Sequence, residues 1–219
     1  MKVIATHEYT KQFIKHESTI ENRIFGKCLD DVVSGMVYYS RYIKRDISLK
    51  AIRKFVAEFK NEMNINSVNI DNINIYIESA WRFIHAFKTS DIYKNRFMKD
   101  RTRLIIINGD VGIYAQPDFV NYDDKIFYEM KSFSVRPVPL YVIKQVRIFQ
   151  LAYPDFESYL IGIPRDKRYI KIQKILVNRS SEKTKKMLLR SLYEYAIKNG
   201  RDIDYNDAIF KRRFISYSI

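Results

Sequence analysis

An α/β fold is predicted by three observations on the sequence. Apolar residues recur at helical spacing through the first hundred residues. After Arg103 the period shortens to that of strands, and helical segments then return. A hydrophobic fraction of 47% among 219 residues is enough for a packed core.

The elements follow in order. One helix is predicted over about Glu21 to Lys44, with Ile24, Cys28, Leu29, Val32, Val33, Met36 and Val37 on one face. A second runs from about Leu49 to Met63 and points Ile52, Phe55, Val56 and Phe59 inward. The Asn-rich segment after it reads as a turn. A third helix covers about Ile73 to Lys88, with Ile73, Ile77, Ala80, Trp81, Ile84 and Phe87 on its core face. Leu104 to Ile107 is a β-branched strand, and Asn108-Gly109-Asp110 is a strong hairpin turn. Gly112 to Tyr122 and Ile126 to Phe133 are predicted as the next two strands, joined by a turn at Asn121 to Lys125. Pro137 and Pro139 precede a helix from about Leu140 to Ala152. Two further strands, Glu157 to Ile163 and Tyr169 to Val177, flank a turn at PRDK. A last helix, Ser181 to Lys198, has Ser180 or Ser181 as N-cap and Asn199-Gly200 as C-cap. The reading divides the chain into a helical N-terminal extension over 1–66, an α/β core over 67–199 and a basic C-terminal tail over 200–219.

Composition bounds the chemistry. One cysteine cannot form an internal disulfide, a zinc finger or a four-cysteine iron–sulfur site. It points to a reducing, intracellular setting. Cys28 itself falls on an apolar helix face and reads as a packing thiol. The longest apolar runs are a few residues, so no membrane span is expected, and the N-terminus lacks the apolar centre of a secretory signal. The 39 Lys and Arg exceed the 25 Asp and Glu by 14. Ten basic and two acidic residues lie between Arg165 and Arg190. Such an excess suits a polyanionic partner, nucleic acid first, because Lys and Arg displace the counterions condensed on phosphates.

The chemistry concentrates in Gln116-Pro117-Asp118 and Glu129-Met130-Lys131. Alternation along a strand places Glu129 and Lys131 on one face and Met130 on the other. Antiparallel pairing across the short turn brings Asp118 towards Glu129. Two adjacent carboxylates repel unless they share a cation, and Mg²⁺ meets that need with oxygen ligands and retained waters. A neighbouring lysine then reaches the attacking water or the phosphate. Such a set suits hydrolysis of a phosphodiester.

On these residues the chain resembles the PD-(D/E)XK nuclease superfamily. The resemblance covers about Ile73 to Lys198 and implies a restriction-endonuclease-like core of helix, three-stranded meander, helix and further strands. It implies a Mg²⁺- or Mn²⁺-dependent deoxyribonuclease in which Asp118 and Glu129 bind the metal with the Met130 backbone carbonyl and Lys131 is catalytic. An acidic or histidine residue on the preceding helix completes the site in this family. Glu78 matches the branch resembling Holliday junction resolvases and His85 the RecB/Cas4-like exonucleases. Gln150, three residues before Tyr153, is the nearest match to a glutamine–tyrosine pair of that second branch, whose usual spacing is four; Gln145 has no tyrosine at the matching offset. Size and a Lys/Ile/Tyr/Asn-rich composition also resemble the resolvase-like nucleases of archaeal spindle-shaped viruses. That likeness implies the cytoplasm of a virus-infected host cell and action on branched DNA. The superfamily often works as a homodimer. Arg136, Lys144, Arg147, Lys183, Lys186 and Arg190 are candidate DNA contacts, and Lys211-Arg212-Arg213 a tail on DNA or a dimer arm. His7 and His16 have no partner pattern and read as surface residues. The rival reading is a non-catalytic nucleic-acid-binding protein on a degenerate nuclease fold.

Overall fold

The computed structural model describes residues 1–14, 19–40, 48–68, 73–94, 97–98, 102–131, 137–162, 172–204, 206–207 and 213–219. It is a mixed α/β protein of two sheets and seven helices among those residues. Three helices come first after the N-terminal segment. Helix α2 (Ile20–Ser40), α3 (Ser48–Ile65) and α4 (Ile73–Lys88) pack on one another, with the short α5 (Asp91–Lys94) beside them. Helix α3 buries Ala51, Phe55, Phe59 and Met63, a strict spacing of four. Phe25 of α2 meets Phe55 and Phe59 edge-on.

The strands form two sheets. The first has the order β8-β1-β3-β2-β9, where β1 is Lys2–Ala5, β2 Arg103–Ile107, β3 Val111–Ala115, β8 Arg201–Asp202 and β9 Arg213–Tyr217. The second has the order β4-β5-β6-β7, with β4 Phe119–Asn121, β5 Ile126–Met130, β6 Glu157–Gly162 and β7 Gln173–Leu176. The hairpin between β2 and β3 turns through Asn108 and Gly109, both at positive φ, as the tripeptide predicts. Helix α6 (Leu140–Ala152) lies in the crossover connection that joins the parallel strands β5 and β6. Helix α7 (Glu182–Asn199) packs on β1 and β3, and Ser181 caps it by accepting from the Thr184 amide.

The second sheet is covered on both faces. Phe119, Tyr128 and Met130 join the core of α2, α3 and α4. Val120, Phe127 and Leu160, on the opposite face, join α6, α7 and the inner face of the first sheet. A polar side chain on β5, such as Glu129, is therefore desolvated, which sets the chemistry below.

The structure departs from the sequence reading at several points. The N-terminal segment is not helical throughout: β1 lies inside the first sheet, parallel to β3 and antiparallel to β8. The tail is not free of the fold either, since β9 pairs with β2. The single strand expected over Gly112 to Tyr122 is broken at Gln116-Pro117-Asp118 into β3 and β4, which belong to different sheets. Proline lacks the amide that a continuing ladder would use. Trp81 is 46% exposed, while Arg82 and Phe83 are buried. Gly200 caps α7 with extended backbone (φ −72°, ψ 149°) rather than a left-handed turn. Its need for glycine is close approach: a Cβ there would lie 2.5 Å from the Ala196 carbonyl oxygen. The PRDK turn, His16, Lys211 and Arg212 lie outside the described residues. Among the described residues, no helix is long and apolar enough to cross a membrane.

Candidate active site

The break between the two sheets places Asp118. The β4–β5 ladder pairs Phe119 with Tyr128, so one step further Asp118 comes level with Glu129. Asp118 Oδ2 accepts from the Met130 amide at 2.6 Å, which fixes the carboxylate against β5. Glu129 and Lys131 project towards α6. Lys131 Nζ donates to Glu129 Oε1 at 2.6 Å and to Gln145 Oε1 at 3.0 Å. The Lys131 amide donates to the Ile161 carbonyl at 2.8 Å, extending the β5–β6 pairing to the end of the motif.

This cluster is desolvated. Glu129 is 3% exposed, and its Oε2 is buried with no hydrogen-bond partner. Burial raises the Asp118 carboxyl well above the usual carboxylate range. The Glu129 and Asp30 charges push it the same way, against Lys131 and the Met130 amide. For Lys131, burial alone would lower the ammonium's pKa, but Glu129 and Asp118 overcome it and hold it above the ordinary value. Lys131 is thus kept charged inside the protein.

Several predicted residues lie elsewhere. Glu78, Trp81 and His85 share the exposed face of α4, where the His85 ring stacks on Trp81 at 5.4 Å. Neither Glu78 nor His85 meets the two carboxylates. After Glu129, the acidic residue that acts on Asp118 is Asp30, on α2 rather than α4. Gln150 is also elsewhere: its Nε2 donates to Ser158 Oγ at 2.7 Å and to the Val177 carbonyl at 3.0 Å, tying α6 to β6 and to the chain after β7. Gln145 takes the place at the lysine. Tyr141, one turn before Gln145, is half-buried; burial raises its phenol, an effect that Lys131 opposes and Glu129 supports. No sequence signal separates Asp30 from Asp31, since both flank the apolar stripe of α2; in the fold Asp30 is half-buried and Asp31 exposed.

Among the candidate DNA contacts, Lys144 lies over the Phe13 ring at 5.2 Å, and Arg147 is half-buried with an unpartnered Nε. Lys183, Lys186 and Arg190 form an exposed stripe on α7. Arg136 lies outside the described residues.

The residues fit a divalent cation of the Mg²⁺ kind. Among the described residues, no three carboxylate, imidazole or thiol side chains form a metal cage by themselves. Mg²⁺ does not require one, because it keeps several waters and binds through one or two carboxylates plus substrate oxygens. The orphaned Glu129 Oε2 and the crowded Asp118 carboxyl both gain from a nearby cation.

A sign follows for stability. A carboxyl raised in the folded state favours folding at low pH, and this contribution is lost as pH rises through the raised value. Metal-free wild type is therefore expected to lose stability, relative to Asp118→Asn, from the ordinary carboxylate range upward. At neutral pH in chelator, Asp118→Asn should melt a few degrees higher, roughly 2–4 °C per kcal/mol. The same variant should lose the rise in Tm that Mn²⁺ gives the wild type. Melting curves across pH, with and without Mn²⁺, check both; a less stable Asn variant at neutral pH would contradict the assignment.

No protein-family model matches the chain, and no curated protein matches it. Among solved structures it is similar to the crystal structure of SSO0001, with 16% identity, 90% of this chain and 85% of that chain covered, and a TM-score of 0.38.

Proposed function

We propose that the protein is a divalent-metal-dependent DNA nuclease with a restriction-endonuclease-like core. The observation that carries this reading is the convergence of half-buried Asp118 and Lys131 on buried Glu129 at the junction of the two sheets, with Lys131 kept charged. Asp118, Glu129 and the Met130 carbonyl would hold Mg²⁺ or Mn²⁺, which when bound neutralises charge on the phosphodiester and acidifies water.

The chain's own residues supply the rest. An ammonium has three protons to donate. Two of Lys131's are directed at Glu129 and Gln145, which leaves one for a water or a non-bridging phosphate oxygen. Gln145 and Glu129 together fix the direction of that third donor. Asp30 adds negative charge beside Asp118 and so strengthens the demand for a cation there. The test is cleavage of four-way junction, single-stranded and linear duplex DNA with Mg²⁺ or Mn²⁺. Absence of metal-dependent cleavage of all three would sink the reading. Symmetric nicking of the junction selects a resolvase-like homodimer, and loss from free ends selects the RecB-like alternative.

One observation favours a non-catalytic DNA-binding protein: Lys131 already neutralises Glu129 by a direct ion pair. A calorimetric Mn²⁺ titration showing no site that depends on Asp118 and Glu129 would support it.

Either reading uses the surplus of 14 positive charges to hold a polyanion. Lys183, Lys186 and Arg190 make no ion pair among the described residues, so each is available to phosphate. Changing all three to Gln is expected to reduce the slope of log K against log salt by about 0.9 for each charge that contacts the duplex. Anisotropy titrations at several salt concentrations measure it; an unchanged slope removes α7 from the interface.

A further inference from the structure

A cleft of about 360 Å³ opens beside the candidate active site. The start of α1 (Thr6–Thr10), the end of β3 and the inner side of α6 enclose it, and Thr6, His7, Thr102, Tyr114, Gln116 and Gln145 line it. It adjoins the site from two directions. Gln116 stands two residues before Asp118, and Gln145 is the residue whose Oε1 receives the Lys131 proton. With that oxygen engaged, the Gln145 amide nitrogen donates to no other described residue. The Thr102 hydroxyl is directed at Gln116 Oε1 at 3.0 Å, and the Thr6 hydroxyl at the Tyr114 carbonyl at 2.7 Å. The His7 ring is exposed at the rim and makes no hydrogen bond among the described residues.

The chemistry of this lining selects a class of ligand. Among the described residues no Lys, Arg, Asp or Glu contributes to it, although the chain as a whole is strongly basic. Among the described residues, the lining itself offers a phosphate no Lys or Arg, and Lys131 behind Gln145 is engaged by that amide and Glu129. Side-chain amides, hydroxyls and an imidazole offer mixed donors and acceptors; Phe149 is part of the buried floor, Tyr114 presents its carbonyl, and the exposed aromatic ring is that of His7 at the rim. A neutral, flat group with a donor–acceptor edge matches that combination, and the volume lies within the usual range for small-ligand pockets, about 300–1,000 Å³.

We infer that this cleft is a subsite for one unpaired nucleobase of the bound DNA. A base held in a duplex presents its pairing edge to its partner and cannot enter; an extruded, bulged or single-stranded base can. The side-chain amides read the pairing edge, and the exposed His7 ring at the rim stacks on the base face. The position of this base next to the scissile phosphate rests on the nuclease reading; the selection of a base by the cleft does not. Occupation would also reach the chemistry, because Gln145 contacts the base with its nitrogen and holds Lys131 with its oxygen.

The test uses the full-length protein in chelator, so that nothing is cleaved. Binding is measured to a fully paired duplex, the same duplex with one bulged 2-aminopurine, and the same duplex with an abasic residue at the bulge. The expected result is about tenfold tighter binding to the bulged base than to either control, the order of a single base–aromatic stack, with a change in 2-aminopurine emission on binding. In Gln116→Ala and in His7→Ala the ratio of bulged to paired affinity should fall towards one. That ratio is insensitive to a general loss of folded protein, and His7 is exposed enough that its replacement leaves the core untouched. Equal wild-type affinity for all three duplexes, or a preference that survives in both variants, overturns the proposal. A base preference in a protein that shows no metal-dependent cleavage would leave the subsite standing and remove the nuclease; cleavage without the preference would do the reverse.

Discussion

Replacing Lys131 with Gln is expected to lower the DNA cleavage rate at least about 100-fold, the usual cost of removing one donor aimed at developing charge. The size of the effect follows from where Lys131 sits. It is a charged donor held in place by Glu129 and Gln145, in a site where burial amplifies its electrostatic effect. The single variant also leaves the Glu129 carboxylate buried without its cation, and breaking a buried pair by removing one partner costs roughly 3–5 kcal/mol. Stability and chemistry would then fall together. The combined variant Glu129→Gln, Lys131→Gln separates them, because it removes both charges and leaves neutral groups that hydrogen-bond to each other. It should melt closer to the wild type than Lys131→Gln does and still be inactive. Single-turnover cleavage rates beside melting curves make the comparison. Wild-type rates in either variant would remove Lys131 from the mechanism.

The second large effect is on stability. Ile4→Ala is expected to cost about 2–5 kcal/mol, the range for truncating a large aliphatic side chain in a core. Ile4 is 1% exposed and belongs to the core shared by α6, α7 and the first sheet. Its strand is flanked on both sides, by β3 and β8, so no edge allows it to relax outward. Chemical denaturation of Ile4→Ala against an exposed-site control such as Tyr38→Ala measures the difference. If the two variants unfold at the same denaturant concentration, residues 2–5 add nothing to the core, and the reading of 1–66 as an extension outside it would stand.

The elements that were legible in the sequence are those whose pattern is local. α4 and α6 begin and end at the predicted residues, because their apolar periods are long and their flanks are marked by Asn or Pro. The hairpin at Asn108-Gly109 carries its own turn chemistry. β1 and β9 were not legible. Each is five residues or fewer, and each is a strand because of partners about a hundred residues away or more. The split at Pro117 was written in the sequence but read as a continuous strand. In the site, Asp118, Glu129 and Lys131 follow from strand alternation and one turn, both local. Glu78, His85 and Gln150 were placed by analogy with a spacing, and helical phase turned them elsewhere. Asp30 lies almost ninety residues before Asp118, and only the packing of α2 against the second sheet brings its charge within reach.

The first sheet has a consequence for how the chain is made. Lys2 pairs with Asp202, and Arg103 with Arg213. During synthesis, β1 and β2 leave the ribosome long before β8 and β9 exist, so their outer edges stay open for most of translation. Pairings this distant in sequence form slowly, and open edges invite pairing with other chains. The helices α2, α3 and α4 face no such delay in packing on one another, since the contacts among the three lie within the first ninety residues. Nascent chains stalled at increasing lengths should therefore acquire protease resistance in two steps, the helical layer early and the first sheet only after residue 217 has emerged.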